Sequence, residues 1–295
     1  MARLAFLGTP EMSVGPLRAL VEAGHEVALC ITRPDRRRGR GGAVTPSPVK
    51  AAAVELGLPV SHAMEDVVGA GVELAVVVAF GRIIPAALLD QVPMVNLHFS
   101  LLPRWRGAAP VERAILAGDT ETGVCLMKVE AGLDTGPVYA CTTVPIGDLD
   151  LDELRLRLVD AGSTLLVDSL AAGPAGLPVP RPQEGEPTNA DKVTTEDLHL
   201  HWDEPAEQLG RVVRLGRAWT TFRGHRLRVI EASVDEGDEL DQGSGPAGTL
   251  VGTVVRTGQG GLRLERVQPE SRSPMAASDW LRGVRPAVGE RLGTE

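Results

Sequence analysis

Two polar side chains, Asn96 and His98, appear abruptly at the end of the otherwise apolar run from Val92 to Leu97. If that run is an extended strand, residues two apart face the same way. The amide and the imidazole then stand side by side while Leu97 points opposite. Together they offer two N–H donors, and an imidazole also gains or loses a proton near neutrality. The carboxyl end of a strand is where open α/β sheets place their ligands. A lone His in such a place is more often a buried residue satisfied by a nearby turn, because clustered polar groups are only probabilistic evidence of a site. A second feature is Asp134, inside Gly132-Leu133-Asp134-Thr135-Gly136. Glycines on either side let backbone approach a ligand closely. An isolated Asp in such a loop is otherwise a turn former.

The flanking pattern supplies a scaffold. Ala2 to Leu7 is a short apolar run ending in Gly8-Thr9-Pro10. Val14, Leu17, Leu20 and Val21 then fall on one helical face, with a stop at Gly24, before a second apolar run from Val27 to Ile31. Strand, turn, helix, strand is the opening of a parallel α/β sheet. The first turn lacks G-x-G-x-x-G, so no nicotinamide or flavin is expected. Leu74 to Phe80 reads as a strand buried on both faces. Val111 to Ala117 reads as a short helix, and Thr122 to Val129 and Val138 to Val144 as β-branched strands. Asp150 with Glu153 three residues on opens a long helix to about Ala172.

Beyond it, five prolines between Pro174 and Pro187 mark an extended linker, taken as 174–204. A smaller domain, 205–295, follows. Its short strands at His225 to Val234, Gly248 to Val255 and Leu262 to Val267, with glycine turns, suggest a small OB-like β-barrel. His199 and His201 alternate along a strand-like stretch ending at Trp202. The sequence offers them no partner ligands, so they are read as structural or surface residues and no metal is expected.

The chain has 295 residues, enough for one large or two ordinary domains. With 43% hydrophobic and 23% charged residues it is globular in composition, and at 3% aromatics its core must be aliphatic. A net charge of −9 argues against generic nucleic-acid binding, so any RNA contact must come from local basic patches. There are two. Arg33-Pro34-Asp35-Arg36-Arg37-Arg38-Gly39-Arg40-Gly41-Gly42 is a cationic loop expected to be mobile, and on composition alone would be a solvated one. Between Gln208 and Ile230 lie six arginines and no acid. Cys30, Cys125 and Cys141 are odd in number, lack C-x-x-C spacing and sit among apolar residues. Reduced, buried thiols in a cytoplasmic protein are therefore expected. No apolar stretch suits a signal segment or a membrane span.

The run from Asn96 to Pro110, N-x-H-x-S-L-L-P-R-W-R-G-A-A-P, resembles the signature of the 10-formyltetrahydrofolate-dependent formyltransferases. Its R-W-R-G-A-A-P tail is most similar to members that act on initiator methionyl-tRNA. G-L-D-T-G matches the family's catalytic-aspartate loop, and Pro46-Ser47-Pro48-Val49-Lys50 also matches. Phe99 stands where these members often carry glycine, Asn189 where an aromatic is usual, and Gly216-Arg217-Ala218-Trp219-Thr220 where N-P-W-P is common.

The resemblance implies a Rossmann-like, mostly parallel sheet flanked by helices in a catalytic domain, 1–173. It implies Asn96, His98 and Asp134 as the catalytic set. Folate contacts are implied at Ser100, Leu101, Leu102, Pro103, Phe80, Gly81 and Ile83. It further implies tRNA contacts through Arg36, Arg37, Arg38 and Arg40, with Arg211 and Arg214 from the second basic patch. The formyl donor would be 10-formyltetrahydrofolate, the acceptor the α-amino group of methionine on initiator tRNA. Neither a metal nor a membrane is implied, and a monomer is expected. Relatives that formylate or deformylate small molecules share the triad, and a non-catalytic RNA- or folate-binding protein is a further alternative.

Overall fold

A computed structural model describes residues 1–37, 44–235 and 245–294. The chain divides into two compact units. The first comprises Met1–Val111, Thr120–Gly147 and Asp152–Asp191; the second comprises Glu112–Asp119, Asp148–Leu151 and Lys192–Glu295.

The first unit is organised on seven strands: β1 (Arg3–Gly8), β2 (Glu26–Ile31), β3 (Val60–Ser61), β4 (Leu74–Val78), β5 (Met94–His98), β6 (Glu121–Lys128) and β7 (Val138–Pro145). Their spatial order is β7-β6-β5-β4-β1-β2-β3. The pairs from β3 through β5 are parallel, while β5–β6 and β6–β7 are antiparallel. Every residue of β4 is buried, which explains its unbroken Leu-Ala-Val-Val-Val run. A parallel strand covered on both faces has no polar side to show. The chain steps from β1 outward to β2 and β3, then returns to lay β4 and β5 on the other side of β1. That reversal opens a crevice at the carboxyl ends of β1 and β4.

Helices α1 (Val14–Glu22) and α2 (Pro48–Glu55) connect the early strands. Ser47 caps α2 by accepting a hydrogen bond from the Lys50 amide at 3.0 Å. After α3 (Pro110–Ala117), the twenty-residue α4 (Leu151–Leu170) lies on the sheet. A Cβ added at its Gly162 would come within 3.1 Å of Leu97 and Val124. The missing side chain lets α4 sit close over β5, on the face to which Leu97 points.

The second unit holds α5 (Ala206–Arg214) and strands β8 (Trp219–Phe222), β9 (His225–Asp235), β10 (Leu250–Val251), β11 (Val254–Arg256), β12 (Gly261–Pro269) and β13 (Met275–Ala276), then α6 (Ala277–Val284). The sheet runs β8-β9-β12-β11-β10, antiparallel throughout, with β13 added to β12. The expected barrel is not closed: among the described residues the end strands β8 and β10 do not pair with each other. The apolar face is covered instead by helix residues. Leu209, Val212 and Val213 of α5 and Ala277 and Trp280 of α6 share one buried cluster with Phe222, Val229, Leu264 and Val267. A sheet so covered has no need to curl on itself to bury its apolar side.

The expectation of three thiols is corrected at two positions. Cys125 and Cys141 oppose each other in the β6–β7 register, with Cα atoms 4.1 Å apart, and are joined as a disulfide. Their separation of 16 residues carries no local cue; the hairpin alone brings them together. Cys30 remains a buried thiol, and burial pushes its pKa up to about 12. No helix among the described residues is long and apolar enough to cross a membrane.

Candidate active site

The site residues gather where β4 and β5 end. His98 closes β5, and Asn96 lies two residues earlier on the same face. Asp134 comes from the loop between β6 and β7 and is held at φ 52°. Aspartate tolerates this left-handed conformation better than most side chains. Its carboxylate meets three groups. Asn96 Nδ2 donates to Oδ1 at 3.3 Å, and the Gly107 amide donates to Oδ2 at 2.9 Å. His98 Nδ1 stands 3.7 Å from Oδ2, within ion-pair range, and the side chains are 6% and 11% exposed.

The other ring nitrogen fixes the tautomer. His98 Nε2 lies 2.9 Å from the Trp105 carbonyl oxygen. A carbonyl can only accept, so Nε2 carries its proton and Nδ1 is left as the nitrogen that faces Asp134. Trp105 is an aromatic residue at φ 62°, a conformation that costs on the order of 1 kcal/mol or more. It persists because its surroundings over-determine it. The Trp105 amide donates to Thr188 Oγ1 at 2.9 Å, the Arg106 amide donates to Thr188 O at 2.8 Å, and the Arg104 guanidinium lies 4.5 Å from the indole centroid.

Gly107 follows at φ 128°, and a Cβ there would sit 2.8 Å from the Ala190 carbonyl. Only glycine lets this backbone pass Ala190 and still aim its amide at Asp134. Residues Arg106–Gly107 pair in parallel with Asn189–Ala190, which anchors the passage.

Nothing local in the sequence pointed to Gln183, while Gly107 and Thr188 lie in stretches that match the family without any sign of their part in this site. Gln183 Nε2 donates to the carbonyls of Asp134 and Gly136, both at 2.8 Å. Its Oε1 accepts from Arg106 Nε at 3.0 Å and Nη2 at 2.6 Å. One side chain thus ties the aspartate loop to the segment that carries Gly107. The proline-rich stretch that supplies it is held within the first unit, where Arg181 and Val138 exchange backbone hydrogen bonds of 2.8 Å. Its only detectable signal was an expected extended character.

The other expected contacts divide. Phe80 and Gly81 follow β4 after Ala79, but the Phe80 ring is buried in the cluster with Leu7, Ile31 and Val77, while Ile83 is 85% exposed. Ser100 is buried, its hydroxyl donating to the Arg104 carbonyl at 2.6 Å. Leu101 lies against Gly123 of β6, where a Cβ would come within 2.5 Å of it. Leu102 and Pro103 are partly buried in the same turn. The flanks of the arginine run are secured. Lys50 Nζ lies 2.7 Å from Asp35 Oδ2, Thr32 Oγ1 lies 2.7 Å from Ser47 Oγ, and Arg36–Arg37 pairs antiparallel with Val44–Thr45. Arg36 is exposed; Arg38 and Arg40 lie outside the described residues. In the second unit, Arg211 lies 3.8 Å from Glu207 and covers Gly118, while Arg214 Nε donates to the Leu149 carbonyl at 3.0 Å. Burial lowers the pKa of Arg214 from its ordinary value.

Comparison with known proteins agrees with this architecture. Residues 2–170 match the family model "Formyl transferase", and residues 192–285 match "Formyl transferase, C-terminal domain". A protein named "Methionyl-tRNA formyltransferase" from Roseobacter denitrificans is 43% identical over 298 aligned residues, covering 95% of each chain. Among solved structures, a methionyl-tRNA formyltransferase from Clostridium thermocellum superposes with a TM-score of 0.57 at 17% identity, covering 80% of this chain and 95% of that one. HypX from Aquifex aeolicus, solved in complex with tetrahydrofolic acid, gives 0.65 at 17% identity over 98% of this chain. The present chain spans 48% of the length of HypX. At such identities the two structures speak to the fold.

Proposed function

This chain belongs to the formyl transferase family, and we propose that it moves the formyl group of 10-formyltetrahydrofolate onto the α-amino group of methionine carried by initiator tRNA. The observation that carries the reading is the Asp134 carboxylate, gathered by Asn96, Gly107 and His98 at the carboxyl edge of the sheet. Full-length similarity to proteins named for this activity supports the choice of acceptor.

The reaction asks for little more than this set. The amine adds to the formyl carbon, and the carbonyl oxygen becomes an oxyanion. Asn96 has a second amide N–H beyond the one directed at Asp134, and protonated Nδ1 of His98 is a further donor. Donors fixed in advance where charge develops are worth about 100- to 1000-fold in rate each. The adding amine must lose a proton and the departing N10 must gain one. Asp134 stabilises the imidazolium form of His98 and accepts the amine proton directly or through water. Collapse of the tetrahedral species then breaks the bond to N10, which takes up the proton passed on from Asp134, releasing tetrahydrofolate and the N-formylated amine.

For the donor, we place the folate against the segments 80–83 and 100–103, where exposed Ile83 offers apolar surface to a pterin. For the tRNA we assign Arg36, Arg37, Arg38 and Arg40 to the acceptor end. Arg211 and Arg214, already engaged within the second unit, contribute through charge. Such a reaction belongs in the cytoplasm, where initiator tRNA is charged. The test is an acceptor panel with 10-formyltetrahydrofolate as donor: methionyl initiator tRNA, free methionine and glycinamide ribonucleotide. Transfer to the tRNA alone supports the reading; transfer to a small amine with none to the tRNA overturns it.

A further inference from the structure

The second unit carries a side-chain cluster that formyl transfer does not use. Leu198, Leu200 and Trp202 are buried, and between them His199 and His201 face outward from one side of the extended segment. Glu196 comes from the 3-10 turn Glu196–Leu198 just before it. His201 Nε2 lies 3.0 Å from Glu196 Oε1, and the two imidazole centroids are 4.5 Å apart. One ligand atom from each of the three residues falls within 4.8 Å of the others, the one such group of three among the described residues. They line a cleft of about 240 Å³ that also presents Glu204 and Gln208.

The backbone holds this arrangement in place. The His199 amide donates to the Glu196 carbonyl at 3.0 Å, the Leu200 amide to the Trp219 carbonyl at 2.9 Å, and the Glu204 amide to the His201 carbonyl at 2.9 Å. The His199 ring stacks on Trp219 at 4.3 Å. We propose that Glu196, His199 and His201 form a binding site for a divalent transition-metal ion of the zinc class, with water completing the coordination. The sequence reading expected no metal because H-x-H shows two ligands, and the third is supplied by the turn.

Ion chemistry favours that class. Zinc binds His nitrogen at about 2.0–2.1 Å and carboxylate oxygen at about 2.0–2.2 Å, which puts tetrahedral ligand atoms about 3.3 Å apart. The His201–Glu196 pair, at 3.0 Å, is close to that spacing, and a ring nitrogen of His199 lies within 4.8 Å of both. Two imidazoles suit zinc, nickel or cobalt, whereas magnesium and calcium require oxygen ligands. Charge is permissive as well. Asp197 is paired with Arg113 at 2.9 Å, leaving Glu196 and Glu204 as the acids facing the cleft, against the Arg226 guanidinium that sits 4.4 Å from the Trp219 ring centroid.

The experiment uses the full chain without a histidine tag, stripped with a chelator and titrated with zinc chloride by calorimetry. X-ray absorption of the loaded protein then counts the ligands. Expected are one zinc per chain, a shell with two imidazole nitrogens, no heat with magnesium chloride, and a rise in melting temperature on loading. His201→Ala and Glu196→Gln change exposed side chains. Each should weaken binding by about tenfold or more, since even outer-shell losses cost 10- to 100-fold. His225→Ala, in a separate exposed pair with Glu270, should leave binding unchanged. No zinc binding by the wild-type chain, or equal binding by His201→Ala, overturns the proposal.

Discussion

Two of the imidazole–carboxylate pairs among the described residues lie in surroundings that could hardly differ more. His98 and Asp134 are 6% and 11% exposed and are surrounded by backbone donors and acceptors. His201 and Glu196, at 48% and 73%, face solvent. Buried, each proton position is dictated: the Trp105 carbonyl claims Nε2, and the Gly107 amide occupies one oxygen of Asp134. Exposed, the pair is screened and worth little by itself, so both groups remain available to an outside ion. Surroundings more than residue type separate a pair suited to moving protons from a pair suited to holding a metal.

The sharpest way to break this contrast is to remove a buried donor. Asn96→Ala or His98→Ala should each lower the rate of formyl transfer by about 100-fold or more, measured by single turnover on methionyl-tRNA. A drop below tenfold would make the buried set no more committed than the exposed one.

A smaller effect should come from Gln183→Ala, which frees the carbonyls of Asp134 and Gly136 and leaves Arg106 without its acceptor. Neutral hydrogen bonds contribute roughly 0.5–1.5 kcal/mol each, so kcat should fall about tenfold while folate affinity holds. Gln183→Glu should recover the Arg106 pairing but not the two donated bonds, and so recover little activity. Unchanged kcat in Gln183→Ala would show that the aspartate loop needs no such tie.

The arginine loop tests a third kind of surface, the cationic one proposed to meet the tRNA. Methionyl-tRNA binding should weaken with salt, and the slope should drop by about one for each phosphate contact removed. Arg40→Ala should impair reaction with methionyl-tRNA and leave folate binding intact; Arg40→Lys should stay partly defective if the guanidinium fork matters. Removing Arg36, Arg37, Arg38 and Arg40 together with no change at any salt would reduce them to solubilising residues.

The smallest effect concerns Asp197, close to the exposed cluster yet firmly paired. Hydrogen bonding to the Arg113 guanidinium, helped by Thr194, lowers its pKa to about 2. A carboxyl depressed on folding stabilises the native state above its ordinary pKa, and loses that contribution as pH falls through the folded value. The stabilisation is at most about 2 kcal/mol, present above about pH 4 and lost as pH falls through about 2. Urea melts of Asp197→Asn and wild type should therefore differ at pH 6 and converge toward pH 2. A gap as large at pH 2 as at pH 6 would point to packing instead of charge.

Much of this was legible in the sequence where the cue is local. Leu74 to Phe80 had to be a buried strand, and β4 ends at Val78. The helix opened by Asp150 runs Leu151–Leu170. Asn96 and His98 do share a face and do end a strand, with Leu97 turned toward α4. What stayed hidden depends on distant pairing. Gln183 acts on a loop 49 residues away, and Arg106–Gly107 pairs with Asn189–Ala190 without any run of β-formers. The Cys125–Cys141 bond follows from hairpin register. Short strands around glycine turns signalled a sheet in the second unit, but not whether its edges would meet.

The most direct test of the central claim is Asp134→Asn, which keeps shape and removes charge. Its single-turnover rate of formyl transfer to methionyl-tRNA should be measured beside its affinity for folate. The account predicts a rate lower by about 100-fold or more with folate affinity within about twofold of wild type, because the charge acts on protons that move only in the transition state. A rate and an affinity that fall together would contradict it, and would make Asp134 a binding residue.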